Sequence, residues 1–351
     1  MHKPERWGLL TFTILFLLTS LTPGVMAEIE LTPEYFIVKD FKLKSGAVLE
    51  ELRVEYATLG QPQKDSAGNI VNGVVFCHGY SGNYAQIKLL KDVVGPGLPF
   101  DTAKYYIICP TALGSPGSSS PSVTGLGPDF PPFTVADMVT SQYLLVTEGL
   151  QIKHLQGVAG ASMGGMQTLQ WITQYPDFMD WAIPIATSHE FRGRNVGIFG
   201  LMTAAIKSDP AYMEGRYKEQ PKKGMELAFM GVYLWHFTPS YYKVKYKTNE
   251  ELLQGLKDVG LGSATMDAND IVWRNEAMMS YDLKDALAKV KARTLIIGVN
   301  TDELFPPEVE FEVTAKLIPG AELFAYDSVA GHLGCTVEIK NAREAIADFL
   351  K

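Results

Sequence analysis

This chain contains few cysteines and no cluster of basic residues. The 351 residues include 3 cysteines, too few for a disulfide framework, and the odd number leaves at least one thiol free. Acidic residues outnumber basic ones by 39 to 31, and a net charge of −8 at pH 7 argues against a nucleic-acid partner, because binding phosphates requires a basic face. The composition favours chemistry on a small molecule.

Long apolar runs are also missing, since no segment after residue 27 is long and apolar enough to cross a membrane. Residues 1–27 instead have the layout of a secretory signal peptide: a charged start, an apolar run at 9–18, and small residues at Val25 and Ala27. That run is well short of the roughly 20 residues that span a bilayer, which disfavours an uncleaved anchor. We predict export to the periplasm or the medium, without stable membrane insertion after cleavage.

The remaining chain alternates strand and helix patterns. Residues 35–59 alternate apolar and polar side chains, as a half-exposed antiparallel ribbon does. Short, wholly apolar runs follow, which are typical of parallel strands covered by helices on both faces. Together they predict an α/β fold with a mostly parallel, doubly wound sheet. The apolar runs are residues 74–76, 105–108, 156–159, 181–185 and 294–297.

Three helices and one insertion are predicted between or after these strands. The first helix begins at Thr134, which with Asp137 forms a capping-box pattern; the second follows Ser162 to about Gln174, and the last covers residues 337–350. Residues 187–291 contain helical patterns and aromatic clusters without a clear buried strand, as an inserted helical lid would. We therefore expect a hydrolase-type core made of residues 28–186 and 292–351, interrupted by a lid at 187–291.

The cysteines have two interpretations. As buried small hydrophobic residues, Cys77, Cys109 and Cys335 would all be free thiols. The alternative is a bridge between Cys77 and Cys109, which end predicted neighbouring strands in an exported protein. Adjacent parallel strands offer poor disulfide geometry, so free thiols are favoured.

A G-x-S-x-G motif lies between a predicted strand and a predicted helix. Residues 157–166 read GVAGASMGGM and place Ser162 at the turn. A serine in a tight strand-to-helix turn points its oxygen out of the sheet, and flanking glycines allow the close packing that the strained turn requires. The motif predicts that Ser162 is a nucleophile.

Partners for this serine follow in the order that an α/β-hydrolase requires, acid and then histidine. Asp302 follows the predicted strand at 294–299, at its carboxyl end, where α/β sites collect; Glu303 is its nearest rival and Asp327 a weaker one. His332 lies in the loop AGHLG before the last predicted helix. We predict a triad of Ser162, Asp302 and His332.

The loop CHGYSG at residues 77–82 follows a buried strand, where this fold builds half of its oxyanion hole from backbone N–H groups. The expected donors are the N–H groups of Tyr80 and Met163. His78 is interpreted as a scaffold of this loop. Histidines of the lid, His189 and His236, are interpreted as structural.

Taken together, these segments resemble the homoserine O-acetyltransferase family of α/β-hydrolases over most of the mature chain. Residues 160–167 (GASMGGMQ) resemble that family's nucleophile motif, and residues 127–138 (GPDFPPFTVADM) resemble the segment leading into its next helix. Residues 114–118 (GSPGS) look like its Gly-rich loop, and residues 205–210 (AIKSDP) look like part of its lid. The resemblance implies a triad at the same three residues, Ser162, Asp302 and His332.

Two positions depart from that family. Its homoserine-specific members have an arginine in the lid that binds the substrate carboxylate and an acidic residue after the catalytic histidine that receives the amine. Here those positions hold Thr203 and Leu333. A buried carboxylate without a partner costs at least a few kcal/mol, so an amino-acid acceptor is disfavoured unless Arg192, Arg194 or Lys207 reaches it from elsewhere in the lid.

These observations predict an exported serine hydrolase that cleaves an ester or related acyl compound through an acyl-serine. Transfer of the acyl group to an alcohol is the alternative, and a non-catalytic binding protein on the same fold is a third hypothesis, which the triad disfavours. The mechanism requires neither a metal nor a cofactor, and its partner is a small-molecule acyl substrate. The sequence leaves open a homodimer.

The signal-peptide pattern has a direct test. Protein isolated from the native host should begin at Glu28, because Val25 and Ala27 occupy the positions where signal peptidase accepts small residues. Intact mass of the purified protein measures this. A cytosolic protein that still carries residues 1–27 would contradict export. Acyl-CoA, which is not expected outside the cytoplasm, would then be available as an acyl donor.

Overall fold

An eight-stranded sheet organises the chain in the computed structural model, which describes residues 29–351. The predicted signal peptide at 1–27 lies outside the described residues. Within residues 29–351, no helix has the length and apolar character needed to cross a bilayer.

The strand order is β1-β2-β4-β3-β5-β6-β7-β8. The pairs β1–β2 and β2–β4 are antiparallel, and all later neighbours are parallel, so the predicted antiparallel ribbon and mostly parallel sheet are confirmed. The strands are β1 Glu34–Lys42, β2 Val48–Leu59, β3 Gly73–Cys77, β4 Tyr106–Pro110, β5 Leu155–Ala161, β6 Met179–Ile185, β7 Arg293–Val299 and β8 Glu322–Tyr326.

Helices cover this sheet and fill its connections. They are α1 Pro121–Thr124, α2 Val135–Leu144, α3 Met163–Gln174, α4 Arg194–Ser208, α5 Lys222–Tyr233, α6 Pro239–Lys245, α7 Asn249–Ser263, α8 Ala268–Met279, α9 Phe311–Leu317, α10 Gly334–Val337 and α11 Arg343–Phe349. Because helices pack on both faces, the central strand β3 is buried along its whole length.

The capping box predicted for α2 is present. The Thr134 hydroxyl accepts from the Asp137 N–H at 3.3 Å, and the Asp137 carboxylate accepts from the Thr134 N–H at 2.8 Å. The same carboxylate accepts from the Lys44 N–H at 2.7 Å. The start of α2 is therefore tied to the turn between β1 and β2.

Between β6 and β7, residues 187–291 contain the helices α4 to α8 and no strand, apart from an isolated bridge between Glu190 and Asp282. Helix α5 packs against α4 and α7, and α8 packs against α4 and α1. We refer to residues 187–291 as the helical insertion. The domain limits at 186/187 and 291/292 stay a prediction.

The last helix was predicted incorrectly as one element over 337–350. The structure has α10, then a short 3₁₀ turn at Ile339–Ala342, then α11. The backbone leaves the helical region at Glu338, with φ −124° and ψ 21°. Buried side chains at Ile339, Ala342, Ile346 and Phe349 keep a helical spacing across the break, which is why the sequence pattern conceals it.

Cys77, Cys109 and Cys335 are free and buried, as the first interpretation of the cysteines predicted. In the parallel register of β3 and β4, Val75 lies beside Ile108, so Cys77 and Cys109 are offset by one residue. Burial raises the pKa of both thiols far above its usual range. They behave as apolar packing residues.

Close packing of β5 against β6 gives a stability prediction. A Cβ added to Gly157 would lie 2.1 Å from the ring of Trp181, so Gly157→Ala should lower the free energy of unfolding by about 1–3 kcal/mol. Gly200→Ala in α4 is the matched control, because its Cβ would meet nothing within 4 Å and should stabilise the helix by roughly 0.5–1 kcal/mol. Urea unfolding of both variants measures the difference, and equal stabilities would contradict this packing.

Candidate active site

Ser162 occupies the turn between β5 and α3 in a strained conformation. Its φ of 58° and ψ of −122° lie in a region that residues other than glycine rarely adopt. The Ser162 N–H donates to the Ile185 carbonyl at 2.9 Å, which ties the turn to the end of β6. The strain is held by surrounding structure, as in other strand-to-helix nucleophile turns.

Two glycines make this turn sterically feasible. A Cβ on Gly164 would lie 2.1 Å from the Cys77 carbonyl oxygen, and a Cβ on Gly160 would lie 2.5 Å from the Gly164 carbonyl oxygen. The start of α3 therefore crosses the end of β3 at backbone contact distance. This contact is the physical reason for the glycines on either side of Ser162.

The structure brings together the three residues predicted as a triad. The His332 Nε2 lies 2.9 Å from the Ser162 Oγ, and its Nδ1 lies 2.7 Å from Asp302 Oδ2. Asp302 follows β7 and His332 follows β8, so both reach the serine from the carboxyl ends of parallel strands. Asp302 is 2% and His332 4% exposed, which shields their hydrogen bond from water.

Hydrogen bonds to Oδ1, the carboxylate oxygen that does not contact His332, hold the Asp302 side chain in place. Oδ1 accepts from the N–H groups of Leu304 at 2.8 Å and Phe305 at 3.0 Å, leaving Oδ2 for the imidazole. The side chains of the rival acids do not hydrogen-bond His332: its Nδ1 is bonded to Asp302, and Asp327 accepts from the Asn300 amide at 2.8 Å.

Tyr80 and Met163 stand where the oxyanion donors were predicted. Met163 begins α3 directly after Ser162, and Tyr80 follows β3 in the adjacent loop. Within residues 29–351, neither backbone N–H donates a hydrogen bond to a protein acceptor. Two N–H groups left without a protein acceptor among these residues are suited to the predicted role of binding an oxyanion.

His78 supports this loop and does not contact the serine. Its Nε2 accepts from the Ala112 N–H at 2.9 Å, and its Nδ1 donates to the Gly79 carbonyl at 2.7 Å. Burial lowers the pKa of His78 to about 4, so the ring is neutral and both nitrogens are engaged. These contacts fit the scaffold interpretation.

A cavity of about 270 Å³ is lined by Ser162 and His332. Its walls come from the core loops and from the helical insertion, and they are mainly apolar. Among the described residues that line it, none is Lys, Arg, Asp or Glu. The lining residues are Tyr80, Ser81, Ser162, Asn195, Phe199, Phe229, Val232, Tyr233, His236, Val259, Ser263, Met266, Met278, Leu304, Phe305, His332 and Leu333.

Leu333 lines this cavity, whereas Thr203 lies behind the wall and accepts from the Asn275 amide at 3.0 Å. The family's lid arginine, which binds the substrate carboxylate, is absent here, and none of the three lid cations that could replace it lines the cavity. Their contacts are elsewhere: Arg192 pairs with Glu190 at 3.4 Å, Arg194 stacks on Trp235 at 4.6 Å, and Lys207 pairs with Glu276 at 3.0 Å.

Arg274, which was not among the residues predicted for the site, supports the loop that carries Tyr80. Its guanidinium is buried and donates to the Tyr80 carbonyl at 2.7 Å and to the Gly114 carbonyl at 2.9 Å. It also lies 5.1 Å from the centre of the Tyr80 ring. A signal was available, because Arg274 shares a helical face with the apolar residues Ile271 and Met278, where a surface arginine would not be expected.

His236 was interpreted as a structural residue of the lid, and that interpretation was wrong in one respect. Its ring lines the catalytic cavity, 6.1 Å from the His332 ring centre to centre. No spacing in the sequence connects residues 236 and 332, because the contact depends on how the insertion packs.

Known proteins resemble this chain over most of its length. Residues 72–337 match the family model described as alpha/beta hydrolase fold. The chain is 40% identical to a probable acyltransferase of Methanothermobacter thermautotrophicus, covering 92% of this chain and 98% of that one. It is 32% identical to a homoserine O-acetyltransferase of Trichormus variabilis, covering 91% and 94%. The crystal structure of esterase E22 shares the fold with a TM-score of 0.85 at 23% identity, covering 92% and 100%.

The position of Arg274 generates a prediction. Arg274→Met leaves two loop carbonyls without their donor and should lower kcat/KM for p-nitrophenyl acetate at least roughly tenfold, because the Tyr80 N–H is displaced. Arg216→Met is the control, since Arg216 forms an exposed pair with Asp129 at 2.8 Å, and such pairs contribute under about 1 kcal/mol. Unfolding curves separate displacement from loss of fold. A folded Arg274→Met enzyme with normal kcat/KM would refute this role.

Proposed function

The chain belongs to the homoserine O-acetyltransferase-like family of α/β-hydrolase enzymes, and from that premise we propose that it is an exported serine hydrolase of uncharged esters. Relatives at 40% and 32% identity are named for acyl transfer, so transfer or hydrolysis of an acyl group is the general chemistry of this enzyme. The observation that carries the finer proposal is the cavity around Ser162, whose described lining has no ionised side chain to bind an amino acid.

In the proposed mechanism, His332 takes the proton of Ser162 as the serine oxygen attacks the acyl carbon. The 2.7 Å hydrogen bond that His332 Nδ1–H donates to Asp302 keeps the tautomer whose Nε2 faces the serine and stabilises the imidazolium that forms. Backbone N–H groups of Tyr80 and Met163 bind the oxyanion, each worth roughly 3 kcal/mol of transition-state stabilisation. His332 then protonates the leaving alcohol.

The acyl-serine is resolved by water in the second half of the reaction. His332 removes a proton from water as its oxygen attacks the acyl carbon, and the acid leaves as Ser162 regains its proton. Transfer to an alcohol differs only in the entering nucleophile. That alternative is favoured by one observation, the acyltransferase name of the relative at 40% identity.

The two candidate acceptors of the acyl group are water and homoserine, and the lack of charged side chains among the described residues around the cavity favours water. A homoserine molecule in this cavity would bring a carboxylate and an ammonium, and each would be buried against groups such as Leu333 and Phe199 without an opposite charge. Burying an unpaired charge costs several kcal/mol. An uncharged ester carries no such penalty, so hydrolysis of neutral esters fits this cavity better.

Export is part of the same proposal and rests on residues 1–27. An acyl-CoA donor is not expected outside the cytoplasm, whereas esters and water are available there. Export and a cavity without charges therefore favour the same reaction.

The proposed triad predicts the effect of three substitutions. Ser162→Ala and His332→Ala should each abolish labelling by a fluorophosphonate probe and reduce kcat for p-nitrophenyl acetate by at least about 10³-fold, because the two residues act as one unit. Asp302→Asn should be nearly as damaging through the wrong imidazole tautomer. Glu303→Gln, which changes the neighbouring acid, should keep near-normal activity. A Ser162→Ala enzyme with near-normal turnover would rule out the mechanism.

Substrate preference tests the hydrolase assignment itself. The wild-type enzyme should show a higher kcat/KM for a short p-nitrophenyl ester in water than for homoserine acetylated by acetyl-CoA, because the cavity has no partner for either charge of an amino acid. Both rates are corrected with the Ser162→Ala variant as background. A clear preference for homoserine and acetyl-CoA would overturn hydrolysis in favour of transfer.

A further inference from the structure

His236 lies in a segment that is docked on the loop carrying His332. The Leu333 N–H donates to the His236 carbonyl at 3.4 Å, and the Thr238 hydroxyl donates to the Val329 carbonyl at 2.9 Å. A Cβ on Gly331 would lie 2.9 Å from the His236 carbonyl oxygen, so the two backbones are in contact. The position of His236 relative to His332 is therefore set by backbone contacts from both sides.

The imidazole of His236 has no hydrogen-bond partner among the described residues, although it lines the catalytic cavity. The buried histidines outside the cavity are different: His78 is bonded through both nitrogens, and His189 Nδ1 lies 2.9 Å from the Thr314 hydroxyl. His236 is half-buried, and its ring nitrogens are left without a partner among the described residues at the cavity. A ring that is unpaired in the protein and faces the cavity is suited to bind something that enters the cavity.

The charge state of this ring limits what it can do. Burial, and then the neighbouring His332, lower the pKa of His236 to about 3, so the ring is neutral at any pH where His332 works as a base. A neutral imidazole offers one N–H donor and one nitrogen acceptor. Such a ring binds a hydroxyl by hydrogen bonding but is too weak a base to remove its proton.

The two histidines line the same cavity. Their ring centres lie 6.1 Å apart with planes inclined by 20°, so the rings are close enough for one small molecule bound in the cavity to contact both. The oxygen that hydrogen-bonds His332 Nε2 during the second half-reaction is that of the entering nucleophile. His236 can therefore contact the nucleophile, while His332 takes its proton.

We propose that His236 binds the water molecule that attacks the acyl-serine and thereby favours hydrolysis over transfer to an alcohol. Water has two protons, so it can donate one to His332 Nε2 and the other to the acceptor nitrogen of His236. An alcohol has a single proton, which His332 requires, and leaves that acceptor unpaired. This inference rests on the proposed acyl-serine mechanism. It identifies His236 as the residue that favours water over an alcohol in the attack on the acyl-serine.

The step is balanced without any further reactant. The water oxygen forms a bond to the acyl carbon, one water proton moves to His332 Nε2, and the second stays on the new carboxylic acid while hydrogen-bonded to His236. The bond between the acyl carbon and Ser162 Oγ then breaks, and His332 returns its proton to that oxygen. His236 ends the cycle neutral, as it began.

The experiment compares water and methanol as nucleophiles for one acyl-enzyme. Wild-type protein and the variants His236→Phe and His236→Gln are given p-nitrophenyl acetate in a methanol series, and acetic acid and methyl acetate are quantified. In His236→Phe, the ratio of acid to methyl ester should fall roughly tenfold, the equivalent of one lost hydrogen bond. His236→Gln retains a donor and an acceptor and should keep the ratio within about threefold of wild type.

His154→Phe is the matched control, because His154 is an exposed residue paired with Asp180 at 2.8 Å and the same substitution there should leave the product ratio unchanged. An unchanged ratio in His236→Phe, an equal loss of both products, or a ratio in His236→Gln equal to that in His236→Phe would each overturn the inference. The wild-type reaction separates this result from the proposed function: without Ser162-dependent release of p-nitrophenol, the acyl-serine mechanism fails and the role of His236 fails with it.

Discussion

The contact between the start of α3 and the end of β3 is the constraint on which the candidate site depends. A Cβ on Gly164 would lie 2.1 Å from the Cys77 carbonyl oxygen, so glycine is required for this close contact. The contact allows the sharp turn from β5 into α3 that holds Ser162 at φ 58°. The same contact brings the Met163 N–H to the end of β3, where the loop to Tyr80 begins. Ser162 and the two N–H groups of the proposed oxyanion hole are thus positioned by backbone packing, before any substrate binds.

The helical insertion contributes side chains to the candidate site that the sheet does not provide. The sheet places Ser162, Asp302 and His332 at the carboxyl ends of its strands, which is the general property of open α/β sheets. Helix α8 buries Arg274 against the Tyr80 loop, and the segment before α6 brings His236 to the cavity. In the proposed mechanism, reactivity therefore comes from the core, whereas the helical insertion selects the substrate and the nucleophile.

This division also explains how much the sequence could predict. Ser162 and Asp302 each follow a strand whose apolar pattern is visible, and His332 lies in the loop before the last predicted helix, so the chain order and the topology predicted that the three meet. Arg274 and His236 contact the site through the packing of helices over long sequence distances, and no periodicity in the chain encodes that packing. The break at Glu338 was missed for a related reason, because buried residues keep a helical spacing on both sides of it.

The central claim is that an acyl group is carried on Ser162 between two half-reactions. The most direct measurement is rapid acid quenching of the wild-type enzyme during turnover of p-nitrophenyl acetate, followed by digestion and mass spectrometry of the peptides. We expect an acetyl group on Ser162, formed within one turnover and lost as acetate appears. Acetylation of another residue, or full turnover with no covalent acyl-enzyme at any quench time, would contradict it.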